Sequence, residues 1–112
     1  MSHATEVVET DAGRPSFEDR FVNAINDAGL MLMCSIGHRT GLFDSMAGMG
    51  WTTSEELAAS AGLQERYVRE WLGAMATGNV VAVDEQDRYH LPAEQASFLT
   101  RDGANENLAV FA

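Results

Sequence analysis

The chain has 112 residues, 46% of them hydrophobic and 21% charged, a composition typical of one globular domain with a small core. Its seven basic residues are all arginine and are outnumbered by 17 carboxylates, so the formal net charge is −10, which excludes attraction of nucleic acid by bulk charge. The single Cys34 excludes an internal disulfide, and residues 1–30 lack the basic and apolar regions of a signal peptide. These features predict a cytoplasmic protein.

Residues 1–15 are mostly polar, with Val7 and Val8 as bulky apolar groups, too little to offset the entropy lost on ordering. We therefore expect a disordered tail over this range. Ser16 is the expected N-cap of a long helix because its hydroxyl can accept an unpaired backbone N–H. Glu18 and Asp19 fit the first turn because the positive end of the helix dipole favours carboxylates.

The long helix carries a stripe of small or apolar residues at helical spacing: Phe17, Phe21, Ala24, Ala28, Met31 and Ser35. From Ala28 to Gly37 no residue is charged. This stretch is too short to span a bilayer, and it is too long for a helix that exposes one face to solvent. Other protein should therefore enclose this part of the helix. The predicted interface or substrate-pocket residues are Phe21, Ile25, Met31, Leu32 and Met33.

A helix-turn-helix follows a short helix over residues 42–46. Thr53 and Glu56 form a capping-box signature at the start of the first helix of the pair, and Gly62 permits a left-handed C-cap at its end. The second helix, residues 65–77, occupies the recognition-helix position. Its pattern places Val68, Leu72 and Met75 inward, Trp71 at the edge, and Gly78 at the stop.

Residues 80–83 and 88–91, separated by a polar turn, predict a hairpin that forms the wing. Pro92 favours a helix over residues 93–99, and Asn105 is the expected cap of a last helix. The predicted fold is mainly α, a winged helix-turn-helix with a long N-terminal helix and a two-stranded β wing. We place this domain at residues 16–104, and we interpret residues 105–112 as the start of a linker helix toward a catalytic domain.

The charge of residues 52–92 opposes DNA binding, because seven carboxylates face three arginines and leave a net charge of −4. On the helix in the recognition position, Arg66 and Arg69 lie close to Glu65 and Glu70. This arrangement favours a solvated face with local ion pairs over contacts with phosphates.

Four short segments follow one another along the chain in a characteristic order: Leu-Phe-Asp at 42–44, Thr-Ser-Glu-Glu-Leu-Ala at 53–58, Arg-Tyr-Val-Arg-Glu-Trp-Leu at 66–72, and Tyr-His-Leu-Pro at 89–92. Together they resemble the N-terminal winged-helix domain of class I S-adenosylmethionine-dependent methyltransferases, in the bacterial branch often described as transcriptional regulators. The resemblance covers nearly the whole chain after residue 15. It implies a homodimer whose long first helix helps to cover the substrate pocket. It also implies a following Rossmann-like domain that carries the cofactor and the chemistry.

We assign no catalytic and no cofactor-binding residue to this chain. Its nearest glycine string, Gly48-Met49-Gly50, has no strand before it and no third glycine at the required spacing. Cys34 has no base or cation near it in sequence, which predicts a buried, inert thiol. His38 could act as a general base facing a catalytic domain, or simply suit a helix C-terminus. The three histidines are far apart, so no metal site is predicted.

The sequence therefore favours an N-terminal dimerisation and substrate-pocket-shaping domain of a small-molecule methyltransferase. Met31 and Met33 could line an adaptable apolar pocket or fill gaps in a core. The expected partners are a second copy and a Rossmann-like domain, without nucleic acid or membrane. Two other hypotheses are a winged-helix DNA-binding transcriptional regulator and a stand-alone interaction module. The fold alone does not separate the three.

Overall fold

The computed structural model describes residues 9–10 and 14–112. Strand β1, Glu9–Thr10, pairs antiparallel with strand β2, Arg14–Pro15. The rest of the predicted tail, residues 1–8 and 11–13, lies outside the described residues. The described chain is mainly helical with a two-stranded antiparallel wing, so the predicted fold class is confirmed.

Helix α1, Phe17–Arg39, is the long N-terminal helix. Ser16 caps it as predicted, because its Oγ accepts the backbone N–H of Asp19 at 3.1 Å. Gly41, with φ of 77°, then turns the chain into helix α2, Leu42–Ala47. This left-handed backbone conformation is one that glycine adopts without steric cost.

The helix-turn-helix consists of α3, Ser54–Ala61, and α4, Glu65–Thr77. The capping box is confirmed: Thr53 Oγ1 accepts the Glu56 N–H at 3.1 Å, and the Glu56 carboxylate accepts the Thr53 N–H at 3.1 Å. Gly62 is the left-handed C-cap of α3, also as predicted. Helix α4 ends before Gly78, but the left-handed residue there is Asn79, with φ of 62°.

The wing is shorter than the sequence pattern suggested. Strand β3, Ala82–Val83, pairs antiparallel with strand β4, Tyr89–His90. The N–H groups of Val80 and Val81 instead bond to the carbonyl of Met75, so these two residues close the end of α4 rather than extend the strand. Thr52 adds an isolated bridge to Tyr89 on the other side.

After the wing come helix α5, Ala93–Leu99, and a 3₁₀ helix, Leu108–Phe111. The predicted last helix is thus a single 3₁₀ turn, and its cap is Asn107 rather than Asn105. Asn107 Oδ1 accepts the N–H of Ala109 at 2.9 Å. Asn105 is used elsewhere, because its backbone and side-chain N–H groups both bond to Ser97.

The core is built from helices α1 to α4, and its most buried large side chains are Leu42, Phe43, Met46, Leu57, Val68, Trp71, Leu72 and Met75. The prediction that Trp71 lies at the edge is wrong, since it is only 2% exposed. Helix α1 crosses over it, and the Trp71 indole N–H donates to the Met33 carbonyl at 2.9 Å. Among the described helices, none is long and apolar enough to cross a membrane.

Candidate functional site

The side of α1 away from the core is the main candidate site. Five large apolar side chains are exposed there, and we call them the outer face: Phe17 (68%), Phe21 (55%), Ile25 (57%), Met31 (46%) and Leu32 (63%). Four of them are among the predicted interface residues. The fifth predicted residue, Met33, is half-buried and packs against the core. Contiguous exposed apolar groups of this kind mark interaction surfaces.

The spacing of the outer face suits contact with another helix. Phe21, Ile25, Ala28 and Leu32 follow one another at intervals of four, three and four residues. This is the repeat that keeps one seam of a helix facing a partner helix. In the first half of α1, no described residue belongs to the domain's own hydrophobic core.

A groove runs beside this face, between α1 and α4, with a volume of about 630 Å³. Its walls are mostly small or polar and include Asn26, Gly29 and Met33 from α1, and Gly73, Ala74 and Thr77 from α4. A small hollow of about 80 Å³ continues it, lined by Met33, Ile36, Tyr67, Glu70 and Trp71. We call the two together the α1–α4 groove. The sequence pattern gave no signal for it, because its walls come from two helices far apart in the chain.

The exposed arginines of α4 are paired within the helix. Arg66 Nε lies 3.5 Å from the Glu70 carboxylate, and Arg69 Nε lies 3.2 Å from that of Glu65. The predicted local ion pairs are therefore confirmed. Each cation at the recognition position already has a carboxylate neighbour, which weakens the attraction that a phosphate would feel.

Glu65 also links α4 to α3. The Ser54 hydroxyl donates to Glu65 Oε2 at 2.5 Å, and this bond lowers the pKa of Glu65 below its ordinary value; burial acts in the opposite direction, and Arg69 lowers the pKa further. Hydrogen bonds to the ionised form are one of the ordinary ways to depress a carboxyl pKa. The acid is thus held in its charged form at the corner of the helix-turn-helix.

Asp84 organises the tip of the wing. Burial would raise its pKa, but the backbone N–H groups of Arg88 and Gln86 and the Arg88 guanidinium together lower the pKa of Asp84. The two backbone bonds are both 2.9 Å long, and the Arg88 side chain reaches the carboxylate at 2.8 Å. Arg88 on the wing is therefore also paired with a carboxylate.

Arg101 joins α1 and α2 to the turn after α5. Its backbone N–H donates to Asp44 Oδ1 at 2.8 Å, and its guanidinium pairs with the other Asp44 oxygen. The same guanidinium donates to the His38 carbonyl at 3.0 Å. His38 thus has a structural contact at the end of α1. The sequence pattern gave no indication of the ion pair between Arg101 and Asp44, because the two residues are 57 positions apart in the chain. A cleft of about 640 Å³ lies beside it, between α2 and α5.

The remaining candidates from the sequence are Cys34, a metal site and the Gly48–Gly50 segment. Cys34 is buried, and burial raises the pKa of its thiol, as expected for an inert cysteine. Within residues 9–10 and 14–112, no cluster of His, Cys, Asp and Glu could hold a metal ion. The Gly48–Gly50 segment follows helix α2 rather than a strand, so it does not form the strand-to-helix turn that holds a nucleoside cofactor. The residues present there do not fit S-adenosylmethionine.

Residues 28–101 match the family described as the Rv2258c-like winged HTH domain. The chain belongs to this family. The matched range runs from the middle of α1 to the turn after α5 and confirms the winged-helix resemblance found from the residues. No curated protein matches this Rv2258c-like domain in sequence.

Several solved structures share the fold of this Rv2258c-like domain over part of their length. PigF with SAH is 21% identical with a TM-score of 0.70, over 80% of this chain and 26% of PigF. LepI in complex with SAM is 21% identical with a TM-score of 0.64, over 75% of this chain and 22% of LepI. RosA, the N,N-8-amino-8-demethyl-D-riboflavin dimethyltransferase from Streptomyces davawensis, is 20% identical with a TM-score of 0.65, over 74% of this chain and 24% of RosA. The domain thus spans about a quarter of each of these chains.

Proposed function

We propose that this Rv2258c-like domain is the N-terminal dimerisation and substrate-pocket-shaping domain of a cytoplasmic S-adenosylmethionine-dependent methyltransferase that acts on a small molecule. The observation that carries the proposal is the outer face of α1, which the described chain leaves uncovered. The names of the similar structures support the class of reaction, since RosA is a dimethyltransferase and PigF and LepI were solved with SAH and SAM.

In this proposal the cofactor and the methyl transfer belong to a Rossmann-like domain outside these 112 residues. The present domain would hold two subunits together and supply apolar side chains to the wall of a substrate pocket. Met31, which is 46% exposed, suits that second role because a flexible thioether adapts to differently shaped ligands. An apolar wall restricts the orientation of the substrate, which is what an in-line transfer requires.

The dimerisation part is tested by light scattering on the wild-type chain and on Phe21→Asp and Leu32→Asp. Both side chains are exposed in the single chain, so the substitutions should leave the fold intact. A charge in a desolvated apolar contact costs roughly 3 kcal/mol, so we expect each variant to weaken the dimer by about 100-fold. Met33→Asp is less suitable because Met33 packs against the core.

Val83→Asp is the matched control, because Val83 is 48% exposed but lies on the wing. It should leave the dimer unchanged. A wild-type chain that stays monomeric at high concentration, or three variants with the same effect, would contradict the dimerisation role.

The methyltransferase part is tested by calorimetric titration of S-adenosylmethionine. A complete protein containing this domain should bind the cofactor at micromolar concentration. The 112-residue chain, as the control, should show no saturable binding because its glycine string does not form a cofactor loop. Saturable binding to the chain alone would overturn this division of roles.

The transcriptional regulator is the second candidate, favoured by the recognition-helix position of α4. The paired arginines argue against it, because their charge is already balanced by Glu65 and Glu70. A mobility-shift assay with duplex DNA at low salt should show little retention. Tight, salt-sensitive retention would make the regulator the better hypothesis.

A further inference from the structure

We propose that the cleft between α2 and α5 is a binding site for a small organic cation, an amine that carries an apolar group. We call it the α2–α5 cleft. Small residues form much of its wall: Ala47, Gly48, Ala93, Ala96, Gly103 and Ala104. The cleft shares no residue with the outer face or the α1–α4 groove, so its test is independent of the proposed function.

The size and the walls of the cleft suit a small molecule. Its volume of about 640 Å³ lies within the range of about 300–1,000 Å³ that is usual for small-molecule sites. The small side chains leave this space open, and Leu91, which is 3% exposed, adds apolar surface to the wall. An apolar group of a ligand is therefore favoured here over water.

The wall that follows α5 is already ordered in the chain. The backbone and side-chain N–H groups of Asn105 both bond to Ser97 at 3.0 Å. The backbone at Gly103 approaches α5 so closely that a Cβ atom there would lie 2.5 Å from the Ser97 carbonyl oxygen. A wall that is fixed before binding loses little conformational entropy when a ligand enters.

The charge of the cleft favours a cation. Asp44 and Asp102 line it, and no arginine or lysine does so in the described part of the chain. Arg101 pairs with Asp44. Asp102 takes part in none of the ion pairs of the described residues, so its carboxylate is available to an ammonium group. A carboxylate beside apolar walls attracts a cation and repels an anion.

His90 gives a second, independent indication of a ligand. Its ring lines the cleft and packs against Trp51, with the two ring centroids 5.2 Å apart. Its Nδ1 atom is buried and has no hydrogen-bond partner within the described residues. Buried polar atoms are seldom left unpaired. A small turn of the ring lets Nδ1 accept a hydrogen bond from an amine in the cleft, and the ligand then supplies the missing partner.

NMR titration of the 112-residue chain tests the site with three probes of similar size. Phenethylamine is a cation, phenethyl alcohol is neutral and phenylacetate is an anion. The amine should shift the amide signals of Gly48, Gly103 and Ala104 saturably, with a dissociation constant of about 1 mM for so small a probe. The alcohol should bind roughly fivefold more weakly or worse, because it lacks the charge, and phenylacetate should not bind.

Three results of the titration would overturn the inference. One is the absence of saturable shifts at the cleft with the amine. Another is equal binding of the amine and the alcohol, which would show that charge plays no part. The third is an equal response of the amides in the acidic turn of the wing, which would show that the amine follows the net charge of −10 rather than a site.

Asp102→Ala tests the carboxylate, and Glu85→Ala is the matched control. Both residues are exposed in turns, and each substitution removes one negative charge, but only Asp102 lines the cleft. Asp102→Ala should raise the dissociation constant of the amine roughly fivefold or more and leave that of the alcohol unchanged. Glu85→Ala should change neither. An Asp102→Ala variant that binds the amine as tightly as the wild type would overturn the role of Asp102.

Ala93→Leu tests the position of the site. Ala93 is exposed at the start of α5 and lines the cleft, so a leucine there fills the space from the outside and leaves the core unchanged. Binding of the amine should be lost while the melting temperature stays the same. Ala59→Leu, an exposed position on α3 outside the cleft, is the matched control and should bind normally. Unchanged binding in Ala93→Leu would overturn the assignment to this cleft.

Discussion

Replacing Gly37 with alanine tests how tightly α1 is packed over the core. The added Cβ would lie 2.6 Å from Trp71 Cζ2 and 2.7 Å from Phe43 Cε2, whereas carbon atoms in contact are about 3.5–4.0 Å apart. The two rings are buried and pack edge to face with centroids 5.2 Å apart, so neither can turn aside freely. Either the rings or the helix must move.

The expected cost follows from three contributions. Overpacking of a core costs about 1–3 kcal/mol. A shift of α1 also strains the hydrogen bond from Trp71 to the Met33 carbonyl, worth about 1 kcal/mol. The better helix propensity of alanine offsets about 0.5–1 kcal/mol of this loss of stability. We expect the free energy of unfolding to fall by about 2 kcal/mol, which lowers the melting temperature by roughly 8–16 °C.

Urea denaturation followed by tryptophan fluorescence measures this change. Gly29→Ala is the matched control, since it makes the same substitution in the same helix at a position where the Cβ meets nothing. In dilute, monomeric solution it should raise the free energy of unfolding by about 0.5–1 kcal/mol. A Gly37→Ala variant as stable as the wild type, or two variants that shift in the same direction, would refute the close packing of α1 on the two rings.

Further predictions concern caps, carboxylates and the thiol. Thr53→Ala removes half of the capping box and should lower the free energy of unfolding by about 1 kcal/mol in urea denaturation. Folding lowers the pKa values of Glu65 and Asp84 below their ordinary values of 4.5 and 3.8. The stability that these two carboxylates contribute is therefore fully present above their ordinary pKa values. It is lost as the pH falls through their lower pKa values in the folded state. Acid denaturation should therefore begin below about pH 4. Ser54→Ala should raise the pKa of Glu65 toward 4.5 in an NMR titration, and an unchanged titration would exclude the Ser54 bond as the cause. Cys34 should react with a thiol reagent slowly in buffer and quickly in urea, and fast reaction in buffer would contradict its burial.

The parts of the fold that the sequence predicts correctly are formed by neighbours in the chain. Ser16, the Thr53–Glu56 box and Gly62 act on backbone groups at most four residues away, so their residue types are sufficient evidence. Trp71 could not be placed in this way. Its burial depends on Met33, 38 residues earlier, and on the angle at which α1 crosses α4.

The outer face of α1 was predictable in composition but not in detail. Too many large apolar residues occur in α1 for one small core, and this alone indicates an uncovered surface. Which of them face the core depends on how the helix is rotated about its axis. Met33 therefore packs inward while Leu32, one position before it, is 63% exposed. The α1–α4 groove, formed by two separate helices, had no local signal at all.

The bond between Ser54 and Glu65 limits how this domain could change during evolution. Glu65 both neutralises Arg69 and fastens the start of α4 to α3. A mutation that removed this acid to free the arginine for phosphate would also loosen the corner between the two helices. Recruiting the surface for DNA would therefore need at least one compensating mutation at the corner as well. The charge of the α4 surface and the geometry of the α3–α4 corner are therefore coupled through one side chain.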